Sequence, residues 1–212
     1  VFASTSSSQN NNIPTTKKYL GIGTVCVTTE FSTSVELLNQ GKKVLYMPQE
    51  VPASLDGFYC SDFWCYKMFR DICIWMNKPI AVGTMGLLIQ NEHPALSEFL
   101  SHRYATPQWY QLVTHSRCAI LDDVTAPDYR PIVQMIDNFE RNHKLGILFE
   151  GQAGNGQIMI CTSRLSEIAE RPEIKQFANS LLHYMDSDAF SPDQTLDMDQ
   201  LKNVFTGEPI QE

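Results

Sequence analysis

The chain has 212 residues, 43% of them hydrophobic and 19% charged, a globular composition far from those of disordered or membrane-spanning chains. Its formal net charge is −8 and its isoelectric point about 5.1, which opposes nucleic acid and anionic lipid as partners, because both need a basic patch that releases counterions. No stretch approaches the ~20 apolar residues of a membrane span, and at this size one core burying roughly two-thirds of the unfolded surface is the expectation.

Val1-Phe2-Ala3-Ser4 looks like the tail of a removed export signal, although the charged and hydrophobic parts of such a signal are absent. Ser4 to Thr16 is rich in Ser, Asn and Thr, so residues 1–16 are read as a flexible leader or linker and 17–212 as a single α/β domain. The longest basic groups, Lys17-Lys18 and Lys42-Lys43, sit at the edges of expected strands and read as solvated strand ends.

Gly21 to Thr28 is β-branched and apolar, as a buried strand should be. Thr33-Ser34-Val35-Glu36 has the spacing of a capping box. The helix it would open ends at Gly41, and Lys43 to Met47 follows as a second strand stopped by Pro48. Strand, helix, glycine, strand is the βαβ signature of a mostly parallel sheet. From Asp62 to Met76 the chain carries Phe63, Trp64, Tyr66, Phe69 and Trp75 at rough helical spacing, a surface for core or subunit packing, or for ligand stacking.

Thr84 to Ile89 reads as a strand, Pro94 to Leu100 and Gln108 to His115 as short helices, and Cys118 to Leu121 and Pro131 to Ile136 as further strands. Leu145 to Glu150 and Gln157 to Cys161 flank a glycine-rich stretch, Gly151 to Gly156, that suits a hairpin. An amphipathic helix is expected over Pro172 to Met185, with Ile174, Phe177, Ala178, Leu181, Leu182 and Met185 on one stripe, and a last short helix beyond Pro192.

Motifs for chemistry are sparse. No Gly-x-Ser-x-Gly turn occurs. Cys26, Cys118 and Cys161 lie in apolar strand-like runs and read as buried thiols, while Cys60, Cys65 and Cys73 are close enough to invite a bridge whose pairing is open. No cysteine pair or histidine has zinc-ligand spacing, and no glycine-rich loop leads into a helix, so neither metal nor cofactor is expected. His93 and His183 read as solvent-edge or packing residues, His102 and His143 as loop residues able to line a pocket. Asp122, Asp123, Asp137, Glu140 and Glu150 lie near the ends of expected strands, where α/β sheets place ligands and where ordinary turn-forming acids also occur. A glycosidase would need two of them ~5 Å or ~6.5–9.5 Å apart.

The run Val82 to Leu96, with Thr106-Pro107-Gln108-Trp109-Tyr110, Asp122-Asp123, Tyr129 to Gln134, Ile136 to Asn142 and Lys144-Leu145-Gly146, resembles the C-terminal domain that follows the catalytic barrel in secreted family 2 glycoside hydrolases of the β-galactosidase type. The likeness covers roughly residues 35–190. It implies a three-layer flavodoxin-like fold of the class I glutamine-amidotransferase type, with a mostly parallel sheet and a C-terminal antiparallel hairpin, in a periplasmic or secreted protein. It further implies a non-catalytic role in packing, assembly or carbohydrate binding, with the glycosidase's catalytic domain or a polysaccharide as partner. It assigns no catalytic residue. If the surface touches sugar, Trp64, Trp109 and Tyr110 are the candidates for contact, since aromatic faces stack on sugar C–H surfaces, with structural packing the first reading of the same residues, and Asp122, Asp137, Glu140 and His143 are the polar pocket candidates. Two alternatives stand beside this reading: a stand-alone hydrolase with a Cys/His or carboxylate pair, and a structural module that forms homo-oligomers through the segment from Phe63 to Trp75.

Overall fold

The computed structural model describes residues 19–59, 66–77, 84–138 and 141–209. The leader reading of residues 1–16 and the readings of Cys60, Cys65, Phe63, Trp64 and Glu140 lie outside these residues.

The first hairpin pairs β1 (Leu20–Ile22) with β2 (Val25–Thr28). Gly23 turns it at φ +57°, a left-handed conformation that favours glycine, and a Cβ there would push aside the Asp186 carboxylate 2.5 Å away. The expected βαβ unit then forms: α1 (Phe31–Asn39) joins β2 to β3 (Lys43–Tyr46), which lies parallel to it. The capping box does not form. The helix begins three residues earlier with Glu30 at its N-cap, leaving Thr33 and Ser34 buried in its first turn, where the Ser34 hydroxyl donates to the Glu30 carbonyl at 3.1 Å.

Beyond this unit the chain departs from the mostly parallel, flavodoxin-like arrangement. β4 (Ser54–Asp56) lies antiparallel to β6 (Arg117–Ile120), and β5 (Gly86–Ile89) antiparallel to β7 (Val133–Ile136). β6 and β7 both run antiparallel to β8 (Lys144–Ala153), which turns back into β9 (Gly156–Cys161) as the expected antiparallel hairpin. Among the described residues the result is one mixed nine-stranded sheet. Only β2–β3 and β3–β9 are parallel, against six antiparallel pairings. The reason is connection geometry: each parallel neighbour needs a crossover of a dozen or more residues. The one helix described between β4 and β5, α2 (Tyr66–Trp75), lies between strands that pair elsewhere.

Apolar clusters cover both faces of the sheet. One joins Val25, Val27, Leu45, Met159 and Cys161 to Ile174, Phe177, Leu181 and Met185 of α4 (Pro172–Asp186). The other joins Cys26, Val44, Tyr46, Ile158 and Ile160 to α1 and to Leu201, Val204 and Phe205 of α5 (Met198–Thr206). The stripe expected on the fourth helix is buried at all six positions. Lys43, read as a solvated strand end, instead donates from Nζ to the carbonyls of Met185 (3.0 Å) and Ser187 (2.9 Å), placing a cation at the negative C-terminus of α4. No helix among the described residues is long and apolar enough to cross a membrane.

Candidate functional site

A bulge in the long strand β8 creates the site. Along β7 and β8, Val133 faces Leu148 but Gln134 faces Gly146, so Ile147 is an extra residue. Strict alternation would put Leu145, Ile147 and Phe149 on one face. Instead Ile147 and Leu148 both enter the α4-side core while Phe149 joins the α1 and α5 side. The parity change turns the next residue, Glu150, toward α4.

Pairing with β7 ends at Leu148, so the backbone of Glu150 has no strand partner on that edge. The phenol of Tyr129 takes the place of one. Its oxygen donates to the Glu150 carbonyl at 2.6 Å and accepts from the Glu150 N–H at 3.0 Å, satisfying two groups that would cost about 1–3 kcal/mol each if left bare. Two residues on, the edge is occupied again: Gln152 N–H donates to Gln194 O (2.7 Å) and Leu196 N–H to Gln152 O (2.9 Å). A gap in the sheet edge one residue pair wide is thus closed by a side chain.

The Glu150 side chain projects into this gap. The residue is 9% exposed, and its Oε1 accepts from the Tyr184 hydroxyl of α4 at 3.0 Å. His93 Nε2 stands 3.6 Å from the same oxygen. His93 caps the short 3-10 helix Pro94–Leu96, its Nδ1 accepting from the Ala95 N–H at 3.2 Å. A ring that accepts at Nδ1 is neutral and carries its proton on Nε2, so a donor faces Glu150. Ser180 holds that segment to α4 by donating to Ala95 O (2.7 Å) and accepting from Glu98 N–H (3.2 Å). Ser180 lies one turn before Tyr184, so one helix face positions both Glu150 partners. The remaining oxygen, Oε2, is buried without a hydrogen-bond partner. Burial, with the charge of Glu150 adding to it, pushes the Tyr184 phenol well above the usual tyrosine range, and burial does the same for Tyr129. Both stay protonated and act as donors.

Glu150 and His93 line a cavity of about 260 Å³ whose wall also includes Asp128, Tyr129, Arg130 and Asp193. Gln90 fixes one loop of this wall by donating from Nε2 to the carbonyls of Arg130 (2.8 Å) and Pro131 (3.0 Å). Gln152 fixes the other through Pro192 O (3.0 Å).

The polar candidates read from the sequence meet elsewhere, in the turn between β7 and β8. Asp137 Oδ1 accepts from the Asn138 N–H (2.8 Å) and from Arg141 Nε (3.1 Å) and Nη2 (2.8 Å), and its Oδ2 accepts from the His143 N–H (3.0 Å). The His143 ring donates from Nδ1 to Asp122 Oδ2 at 2.9 Å, and Asp122 Oδ1 accepts from the Lys144 N–H at 3.2 Å. Asp122, Asp137 and His143 are therefore brought together, but as a turn whose acceptors its own donors occupy. Among the described residues no group of three His, Cys, Asp or Glu side chains is placed to hold a metal ion.

The aromatic candidates divide. Trp109 is 1% exposed and packs edge-on against Phe99 (5.2 Å) and Phe177 (5.7 Å) in the core, so it has no face to offer a sugar. Its apolar neighbours, far away in sequence, hid this. Tyr110 is half-exposed and meets Tyr59 edge-on at 5.3 Å. Cys118 and Cys161 are sealed, their thiols pushed up to about 12 by burial, which removes them as nucleophiles. Cys26 and Cys73 are buried free thiols.

His93 and Glu150 were visible in the sequence without their roles, the first read as a solvent-edge or packing residue and the second as one of several strand-end acids. The available signal was a single charge after the apolar run Leu145 to Phe149. The strand continues through Ala153, which makes that charge a mid-strand, buried one.

One protein family, described as Domain of unknown function (DUF8487), matches residues 26–206. No curated protein matches the chain.

Proposed function

We propose that this chain, which belongs to the DUF8487 family, is a binding domain rather than an enzyme, and that it takes a small polar ligand in the cavity walled by Glu150. The observation that carries this reading is a buried carboxylate, held on one oxygen by Tyr184 and unpartnered on the other, in the wall of a 260 Å³ cavity. Buried polar groups are normally satisfied, so this carboxylate keeps acceptor capacity that no donor among the described residues fills. The surrounding groups suit holding better than reacting: His93 spends its lone pair on Ala95 and directs its proton to Glu150, and the phenols of Tyr129 and Tyr184 stay protonated. The proposed setting is an accessory role beside a family 2-type glycosidase. It is supported by the residue pattern quoted from 82 to 146, and the mixed sheet takes away the expected fold as a further support.

The test is backbone amide NMR of the chain titrated with neutral sugars, amines and small acids. Saturable shifts concentrated at Gln90, His93, Tyr129 and Gln194 are expected. No such shifts with any class, or turnover of aryl glycosides, esters or amides that Glu150→Gln abolishes, would overturn the reading.

A second reading, self-association, is favoured by the end of α2, where Ile72, Ile74, Trp75 and Met76 are exposed in close succession, Trp75 at 84%. Sedimentation decides it: a concentration-dependent dimer that Trp75→Ser disperses supports it, and a monomer at high concentration removes it.

A further inference from the structure

We infer that the ligand of the Glu150 cavity is a small organic cation, a primary amine or amino sugar no larger than a monosaccharide, with its ammonium group on the Glu150 carboxylate. The inference rests on the binding reading above and adds the ligand's chemical class.

Size comes first. Sites for drug-sized ligands span ~300–1,000 Å³, and this cavity, at about 260 Å³, lies below that range. Charge comes second. Glu150, Asp128 and Asp193 face a single guanidinium, Arg130, and His93 is neutral because its Nδ1 accepts from Ala95. Three carboxylates against one cation leave the wall two charges negative, a field that draws cations and repels anions. Donor supply comes third. The Glu150 carboxylate offers about four acceptor positions and uses one on Tyr184, with His93 at the longer distance of 3.6 Å. A neutral hydroxyl could fill one position, but an ammonium brings three donors and a compensating charge, and charge-assisted hydrogen bonds are roughly twice as strong as neutral ones. A buried carboxylate is costly unless paired with a cation, and among the described residues no Lys or Arg pairs with Glu150, whose neighbour His93 is neutral. The ligand is then the missing counter-ion. Glu150 lines the cavity and its side chain is 11% exposed, so the ammonium meets the carboxylate from the cavity side while Tyr184 keeps its hydrogen bond. Arg130, the one cation of the wall, stays available for a polar substituent at the ligand's far end.

The experiment is calorimetric titration of the full chain with D-glucosamine, D-glucose and D-glucuronate, and with ethanolamine against ethylene glycol, at neutral pH and low salt. The amines should bind at least about tenfold more tightly than their hydroxyl counterparts, glucuronate should bind most weakly, and added salt should narrow the difference. Glu150→Gln should abolish the preference for the amine. Asp128→Asn and Asp193→Asn, both at exposed positions, should each reduce amine affinity severalfold, which keeps the test intact if the Glu150 variant does not fold. Equal or tighter binding of glucose or glucuronate, an amine preference that survives Glu150→Gln and both rim variants, or no binding of either amine overturns the cation assignment. Amide shifts at the cavity with a neutral or anionic probe would leave the binding reading standing, whereas their absence with every class would remove both.

Discussion

Two buried carboxylates, Asp137 and Glu150, show how one residue type serves different ends on one strand pair. Asp137 sits where β7 turns toward β8, 7% exposed, and receives four donors from Asn138, Arg141 and His143, all within six residues. Glu150 sits past the point where β7 leaves β8, 9% exposed, and its side chain has one short hydrogen bond, from a tyrosine 34 residues away. A carboxylate satisfied by its own turn is part of the scaffold. One whose neighbours come from distant segments and leave an acceptor over is available to something else. Both side chains are buried, that of Asp137 at 1% exposure and that of Glu150 at 11%, and the sharper contrast lies in donor supply.

The largest expected effect tests the scaffold side. Asp137→Ala removes the acceptor of four donors in the turn and leaves the Arg141 guanidinium, 21% exposed, without its partner. A loss of about 3–5 kcal/mol in urea denaturation is expected, as when one half of a buried pair is deleted. A loss under about 1 kcal/mol would mean that the turn is held by its backbone alone. Next comes the sheet-edge gap. Tyr129→Phe keeps the ring but strips the Glu150 N–H and C=O of their shared partner, so about 2–3 kcal/mol should be lost. Hydrogen exchange should quicken at the Glu150 amide before its neighbours, and unchanged protection there would break the account.

Glu150→Gln should destabilise by no more than about 1 kcal/mol, because the amide oxygen still accepts from the Tyr184 hydroxyl and a buried charge without a cation beside it is shed, while ligand shifts at the cavity disappear. If instead it destabilises as much as Asp137→Ala, the two carboxylates are alike and the comparison fails. The smallest effect belongs to Asp186, whose carboxylate accepts from the Thr24 N–H and hydroxyl, both at 2.7 Å, and is thereby held below its ordinary 3.8. A carboxylate lowered in the folded state stabilises above its unfolded pKa, and that contribution fades as pH falls through the lower folded value. Thermal melts from about pH 5 down to about pH 2 should therefore show wild type more stable than Asp186→Ala at the upper end, with the two curves converging at the bottom. Parallel curves would show that the hairpin gains nothing from the charge.

Legibility followed the range of the interaction. The α4 stripe was plain because Ile174, Phe177, Ala178, Leu181, Leu182 and Met185 repeat at the helical period. The βαβ start was plain because a strand, a nine-residue helix and a strand follow one another with short links. Asp122, Asp137 and His143, read as pocket candidates, meet because the turn that unites them is nearly local, and their mutual saturation was not visible. Trp109 stood open between packing and sugar contact because nothing next to it in sequence reveals that Phe99 and Phe177 enclose it. The mostly parallel sheet was an over-extension of one βαβ unit to strands whose partners are set at long range.

The sequence by itself determined what depends on neighbours along the chain: an acidic globular composition, the amphipathic helices, the opening parallel pair and the closing β8–β9 hairpin. Only the tertiary structure decided which way the other strands run and which face Glu150 takes. Strand direction depends on which edges are free when each segment arrives. The orientation of Glu150 depends on an extra residue that exists only relative to β7. Its neighbours at positions 93, 129 and 184 meet because three unrelated segments pack over one gap in a sheet edge, and no local pattern encodes that meeting.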